Sequence, residues 1–224
     1  MPFELKKKLY FLICILSCFI HSSEIAVVSL AIGENYKKIV ATGIENKRLY
    51  CTLHGYDFIC VEKSLDPLRP PAWSKILLIL ELMQTSDYKW IFWTDADSLI
   101  MNMTISLEDL IVDNYNLILS KDNTGINTGQ FLIKNCDWSK KLLQAIYSHT
   151  ECIHHYCWEQ QGLVEELQEN EELWSSILLI PQRTINSYTK NYENGDFIIH
   201  FAGHRLFNIL EFFMNKYNEK VIYR

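Results

Sequence analysis

Hydrophobic positions along this chain fall into short β-branched runs that alternate with longer stretches of helical periodicity. Ile25 to Ala31 is an apolar run that stops near Gly33, the pattern of a central parallel strand buried on both faces. Tyr36, Ile39, Val40, Gly43, Ile44, Lys47, Tyr50, Cys51 and His54 recur at helical spacing, with Gly55 as a C-terminal stop. Asp57 to Val61 reads as a second strand, Pro70 and Pro71 introduce a helix from about Ala72 to Gln84, and Trp90 to Thr94 is a third strand. Ser106 and Asp109 form a capping-box-like start to a short helix, and a strand from Asn116 to Leu119 follows. Asn123 to Gly129 is a turn-rich polar segment that leads into a strand from Gln130 to Lys134. Helices from Asp137 and through Trp158 to Gln168 come next, and Ile177 to Ile180 and Phe197 to Phe201 complete the strands. The alternation predicts an α/β fold with a Rossmann-like, mostly parallel central sheet flanked by helices. No repeat, low-complexity segment or linker divides it, so a single domain is expected.

With 224 residues, 49% hydrophobic and 21% charged, the chain has enough apolar surface for a full core. A net charge of −6 argues against a nucleic-acid partner, since surfaces that track phosphates need a basic excess. Residues 1–23 have a different character. Lys6, Lys7 and Lys8 precede the 12 apolar-rich residues Leu9 to Ile20, and His21, Ser22 and Ser23 follow, the shape of a signal peptide or short signal-anchor. Twelve residues fall short of the roughly 20 that span a bilayer. The alternative is a buried first helix. The expected organisation is therefore a targeting segment over 1–23, with membrane attachment through it if it is retained, and a domain over 24–224.

Five of the seven cysteines, Cys51, Cys60, Cys136, Cys152 and Cys157, lie outside that segment. One or two disulfides are compatible with an oxidising lumen, but the count is too low and scattered for a disulfide scaffold. Cys152-x-His154-His155-x-Cys157 lacks the spaced pairs of a structural zinc site and reads as a loop or a local disulfide. Glu165, Glu166, Glu169, Glu171 and Glu172 read as a solvated acidic rim.

The candidate chemistry sits where the apolar run Trp90-Ile-Phe-Trp-Thr94 breaks into Asp95-Ala96-Asp97. Side chains two apart on extended backbone share a face, which would aim both carboxylates at one ligand from the C-terminal end of a strand. In open α/β sheets that end is where ligands bind. Carboxylate oxygens suit Mg²⁺ or Mn²⁺, and such ions commonly neutralise phosphate, so a nucleotide diphosphate is the natural guest. The same spacing also serves merely to turn a chain after a strand.

Further motifs narrow the choice: Gly125-Ile-Asn127-Thr128-Gly129-Gln, Trp158-Glu159-Gln160, Pro181-Gln-Arg-Thr-Ile-Asn186-Ser-Tyr188 and Gly195-Asp-Phe-Ile-Ile-His200-Phe-Ala-Gly203. With Asp95-Ala-Asp97, in this order, the chain from about Ile25 to Arg205 resembles the galactosyl-, mannosyl- and xylosyltransferase family of fungal mannan α-1,6-mannosyltransferase subunits and plant xyloglucan xylosyltransferases. The resemblance implies a GT-A glycosyltransferase fold and a retaining, metal-dependent transfer of galactose, mannose or xylose. The donor would be a UDP- or GDP-sugar and the acceptor a glycan.

Residue by residue, the resemblance puts Mn²⁺, or Mg²⁺ in its place, on Asp95, Asp97 and His200. Asn127, Thr128 and Gly129 fall on the sugar and acceptor side and, with Gly203, among the donor-binding residues, and Glu159 and Gln160 fall near the transferred sugar. Arg205 stands where plant members carry a lysine that meets the diphosphate. Glu159 is the nearest candidate for a covalent nucleophile. Gln161 and Gly162 depart from the residues usual there, which bears on donor or acceptor choice. The location implied is the secretory pathway, in the Golgi or ER lumen, with a transferase complex as one setting; the near absence of a stem before Ile25 is unlike typical Golgi members. Two other readings remain: a GT-A transferase of a glycogenin-like family, and a non-catalytic subunit that binds glycan or sugar nucleotide for a partner transferase.

Overall fold

The computed structural model describes residues 23–203 and 206–223. Six strands form the main sheet: β1 (Ile25–Leu30), β2 (Asp57–Val61), β3 (Trp90–Thr94), β5 (Leu117–Asp122), β6 (Gly125–Lys134) and β7 (Ile177–Ile180), in the order β2-β1-β3-β6-β5-β7. β6 alone among them runs antiparallel to its neighbours. A small second sheet joins β4 (Ser98–Ile100), β9 (Ile198–His200) and β8 (Ser187–Tyr188), in that order.

Two apolar layers enclose the main sheet, because alternate side chains of the central strands go to opposite faces. Ile25, Val27, Trp90 and Phe92 point into one core, and Ala26, Val28, Ile91 and Trp93 into the other. The first core is closed by α2 (Ala41–His54), α7 (Phe207–Asn218) and the small sheet, with α1 (Glu34–Ile39) at its edge. The second is closed by α3 (Ser74–Thr85), α4 (Asp137–Ser148) and α5 (Glu159–Glu169). A four-residue helix, α6 (Gln182–Ile185), leads into β8.

Most of the expected elements are found within a residue or two. The single helix expected through His54 divides at Val40 and ends where Gly55, at φ 76°, adopts the left-handed cap. Ser106 and Asp109 do form a reciprocal cap, with each backbone N–H donating to the other's side chain at 3.3 and 3.4 Å. The turn-rich reading of Asn123 to Gly129 needs correction. Only Asn123 and Thr124 make the turn, Asp122 pairs with Gly125, and Gly125 to Gly129 already belong to β6. Their polarity reflects the cleft they line.

The targeting segment over 1–23 lies outside the described residues except for its last position, Ser23. Among the described residues no helix is long and apolar enough to cross a membrane. Cys51, Cys60, Cys136, Cys152 and Cys157 are all free thiols.

Candidate metal and donor site

β3 is buried along its whole length, and its carboxyl end is pinned from several sides. The Ser29 hydroxyl donates to Thr94 O at 2.7 Å, Asp95 N–H to Gly129 O at 2.8 Å, and the Ser98 hydroxyl to Asp95 O at 2.7 Å. Asp95 is the first residue past the strand, and Ala96 and Asp97 form a turn. The two carboxylates thus come together through a turn and not through the strand alternation that the sequence suggests. α2 fits tightly beneath this turn: a Cβ on Gly43 would lie 2.6 Å from Ala96 O and 2.9 Å from Ser98 O. The fully buried Lys47 ammonium donates to Ser98 O at 2.6 Å. Burial lowers Lys47 to about 8, while the charges of Asp97 and Asp95 oppose the shift.

The third group arrives from the small sheet. β4 and β9 pair antiparallel with Ser98 opposite His200, and Phe201 N–H donates to Asp97 O at 2.9 Å. His200, 4% exposed, consequently brings Nε2 to 3.4 Å from an Asp97 oxygen and 3.7 Å from an Asp95 oxygen. Its Nδ1 meets Asn186 Oδ1 at 2.8 Å. An amide oxygen only accepts, so Nδ1 is the donor, and Nε2 of the neutral ring turns its lone pair towards the carboxylates. Burial disfavours the imidazolium, but Asp97 and Asp95 raise His200 above its ordinary value. Burial likewise opposes ionisation of Asp97, yet His200 and Lys47 hold it below the usual carboxylate range.

The ligand atoms of Asp95, Asp97 and His200 lie within 4.8 Å of one another. Two carboxylates and one imidazole form the mixed oxygen and nitrogen set that Mn²⁺ accepts. A Cβ on Gly129 would stand 2.3 Å from His200 Cε1, so a side chain there would displace the ring.

β6 and the start of α5 supply the opposite wall. Lys75, on α3, reaches Glu159 at 2.6 Å, Thr128 O at 3.0 Å and Asp95 at 3.5 Å. Burial works against its charge, but Asp95 and Glu159 raise Lys75 above its ordinary value. The Thr128 hydroxyl also donates to Glu159 at 3.1 Å, and Thr128 N–H donates to Gln160 Oε1 at 3.1 Å. The other Glu159 oxygen is buried without a hydrogen-bond partner. Asn127 Nδ2 donates to the Tyr188 hydroxyl at 3.0 Å, which in turn donates to Asp122, while Asn127 Oδ1 accepts from Gly129 N–H at 2.9 Å. Trp158, just before Glu159, is held at φ 48°, an outlying conformation for a bulky residue.

Asp95, Asp97, His200, Asn127, Thr128, Gly129, Glu159 and Gln160 therefore gather in one connected network of contacts. Gly203, at φ 76°, adopts a backbone conformation that favours glycine. Arg205 lies outside the described residues. Lys75 and Lys47 were not singled out as site residues by the sequence pattern, and Asn186 was visible only as part of a motif. The one available signal was a lysine at an apolar position of a helix.

The galactosyl transferase GMA12/MNN10 family model matches residues 21–117 and 112–209. A Schizosaccharomyces pombe protein named "Probable alpha-1,2-galactosyltransferase gmh1" is 26% identical over 85% of this chain and 71% of its own length. "Probable alpha-1,6-mannosyltransferase MNN10" of Saccharomyces cerevisiae is 27% identical over 74% of this chain and 55% of its length. "Probable xyloglucan 6-xylosyltransferase 3" of Arabidopsis thaliana is 32% identical over 51% of this chain and 26% of its length. The chain thus spans less than two thirds of most of these relatives.

Among solved structures, a glycosyltransferase involved in glycosylation of the major capsid of PBCV-1 superposes with a TM-score of 0.73 at 16% identity, covering 86% of this chain and 98% of that one. The galactosyltransferase LgtC, crystallised with donor and acceptor sugar analogues, does so with a TM-score of 0.57 at 12% identity, covering 89% and 97%. The fold is GT-A, and the chain belongs to the galactosyl transferase GMA12/MNN10 family.

Proposed function

We propose that this domain transfers galactose, mannose or xylose from a UDP- or GDP-sugar to a glycan acceptor, with retention of anomeric configuration and dependence on Mn²⁺ or Mg²⁺. The observation that carries the reading is the convergence of Asp95, Asp97 and His200, with Asn186 fixing the ring so that Nε2 faces both carboxylates. These three residues would hold the ion, whose positive charge would stabilise the departing nucleoside diphosphate. Arg205 would add a guanidinium fork on the same phosphates.

The reaction breaks the bond from the anomeric carbon to the diphosphate oxygen and forms one to an acceptor hydroxyl. The hydroxyl proton passes to the leaving diphosphate on the same face of the sugar. Thr128, Gly129 and Gln160 fit a role in holding that sugar. Glu159 is engaged by Lys75 at 2.6 Å and by Thr128, which favours a role in shaping charge over covalent attack. The N-terminal lysine cluster and apolar run support delivery to the secretory pathway, in the Golgi or ER lumen.

A screen of UDP- and GDP-sugars for Mn²⁺-dependent hydrolysis identifies the donor, and proton NMR of the fresh glycoside reads its configuration. The retained anomer with one donor is expected. The inverted anomer overturns the mechanism, and no turnover of any donor overturns the enzymatic reading.

A further inference from the structure

A second concavity opens beside the cleft, a groove of about 800 Å³ between α5 and the tip of the β5–β6 hairpin. Its volume falls in the range of roughly 300–1,000 Å³ typical of small-molecule sites. Tyr156 stands at one side, 76% exposed, and Trp174 at another, 39% exposed. Between them lie the amides of Gln160, Gln161 and Gln168; Gln161 Nε2 donates to Glu165 at 2.6 Å and Gln160 Oε1 accepts from Thr128, which leaves the Gln160 NH₂, the Gln161 carbonyl and the Gln168 amide for a ligand. The described lining holds no cation and one carboxylate, Glu171, so a phosphorylated or otherwise anionic ligand finds no partner there.

Aromatic faces and neutral amides suit a polyol. A pyranose ring offers a C–H face to an aromatic ring while its hydroxyls both donate to and accept from amides. One residue, Gln160, also links the groove to the candidate site. It lines the groove and at the same time accepts from Thr128 N–H at 3.1 Å, and Thr128 bonds Glu159. A chain seated against Tyr156 and Trp174 would lead towards Thr128 and Gln160, the residues proposed to hold the donor sugar.

We infer that this groove is the acceptor subsite, binding a neutral glycan over sugar residues beyond the one that carries the attacking hydroxyl. The inference rests on the transferase reading and adds the place and chemistry of the acceptor. Neither Tyr156 nor Trp174 touches the Asp95, Asp97, His200 cluster, so their loss should act on oligosaccharide binding alone.

The test is saturation-transfer NMR of two neutral probes, α-1,6-mannotetraose and β-1,4-glucotetraose, with wild type, Tyr156→Ala, Trp174→Ala and Trp174→Phe. The same samples are assayed for Mn²⁺-dependent hydrolysis of the donor without acceptor. At least one tetrasaccharide should bind wild type, each alanine variant should weaken it on the order of tenfold, and Trp174→Phe should recover most of the loss. Donor hydrolysis should stay within about twofold in all three variants. Failure of both probes to bind wild type, or binding unaltered by both alanine variants, overturns the groove assignment. Absence of donor hydrolysis in wild type overturns the transferase reading instead, while the binding result still decides whether the groove takes a glycan.

Discussion

The two walls of the cleft both carry carboxylates, and they neutralise them differently. On the β3–β9 side Asp95 keeps 30% of its side chain exposed and Asp97 19%, with a titratable imidazole between them. On the α3–α5 side Glu159 is 5% exposed and is matched by the fixed ammonium of Lys75 at 2.6 Å, which lies farther from Asp95, at 3.5 Å. On the proposed reading the first wall exchanges its positive partner, since a proton on His200 and a divalent cation would compete for the same place. The second is built to keep its partner, since a buried carboxylate without its cation is strongly unfavourable. The open wall suits the transient charge of a leaving diphosphate, and the closed wall suits a fixed field beside the sugar.

The largest effect should come from breaking the closed wall. Lys75→Met leaves Glu159 buried and unpaired, which costs about 3–5 kcal/mol and should lower Tm by roughly 10 °C. Lys75→Met with Glu159→Leu should recover most of that stability, since an apolar pair of similar volume replaces the ions. Donor hydrolysis should stay low in both. Thermal denaturation and turnover on the same preparations check this, and a double variant that regains activity would show the pair to be structural only.

For the proposed diphosphate contact, Arg205→Ala should lower turnover on the order of 10²-fold at saturating donor, and Arg205→Lys should recover part by restoring charge without the fork. A loss below about threefold in the alanine variant would contradict a diphosphate contact for Arg205. Asn186→Ala removes the acceptor for His200 Nδ1, found at 2.8 Å, and frees the ring to choose the wrong tautomer. Mn²⁺ affinity should fall about 10- to 100-fold, as loss of such a supporting hydrogen bond commonly does. Titration of Mn²⁺ by calorimetry measures it.

The smallest effect belongs to a third kind of pairing, between the end of α4 and α5. His149 bonds Glu151 at 2.6 Å and Glu166 at 3.2 Å. Burial opposes its charge, but the two glutamates raise His149 above its ordinary value. The folded state then binds the proton more tightly than the unfolded chain. The stabilisation is complete below about pH 6.5 and fades as pH rises through the higher folded value. His149→Gln should lower Tm by about 2 °C at pH 5.5 and converge on wild type at alkaline pH. A constant gap across that window would contradict the assignment.

The open wall was more legible in the sequence than the closed one. Trp90 to Thr94 is buried on both faces, so it reads as an unbroken apolar run, and the abrupt carboxylates after it stand out. His200 and Asn186 were found through motif order, because nothing local distinguishes a histidine at a strand end from an ordinary buried one. Lys75 left almost no trace: a lysine on an apolar helix face normally extends to solvent, and its partner Glu159 is 84 residues away. Gly125 to Gly129 belong to β6 although their composition suggests a loop, for the opposite reason. Polar composition signals a loop when one face is assumed to be buried, but β6 turns those polar side chains into the cleft.

Mn²⁺ binding followed by the loss of its free electron paramagnetic resonance signal, in the presence of UDP or GDP, tests the exchangeable wall most directly. Wild type should bind one ion, and Asp97→Asn, which keeps the volume and removes the charge, should weaken it by at least about 10²-fold while circular dichroism stays unchanged. Equal Mn²⁺ affinity in a folded Asp97→Asn variant would contradict the placement of the ion on Asp95, Asp97 and His200.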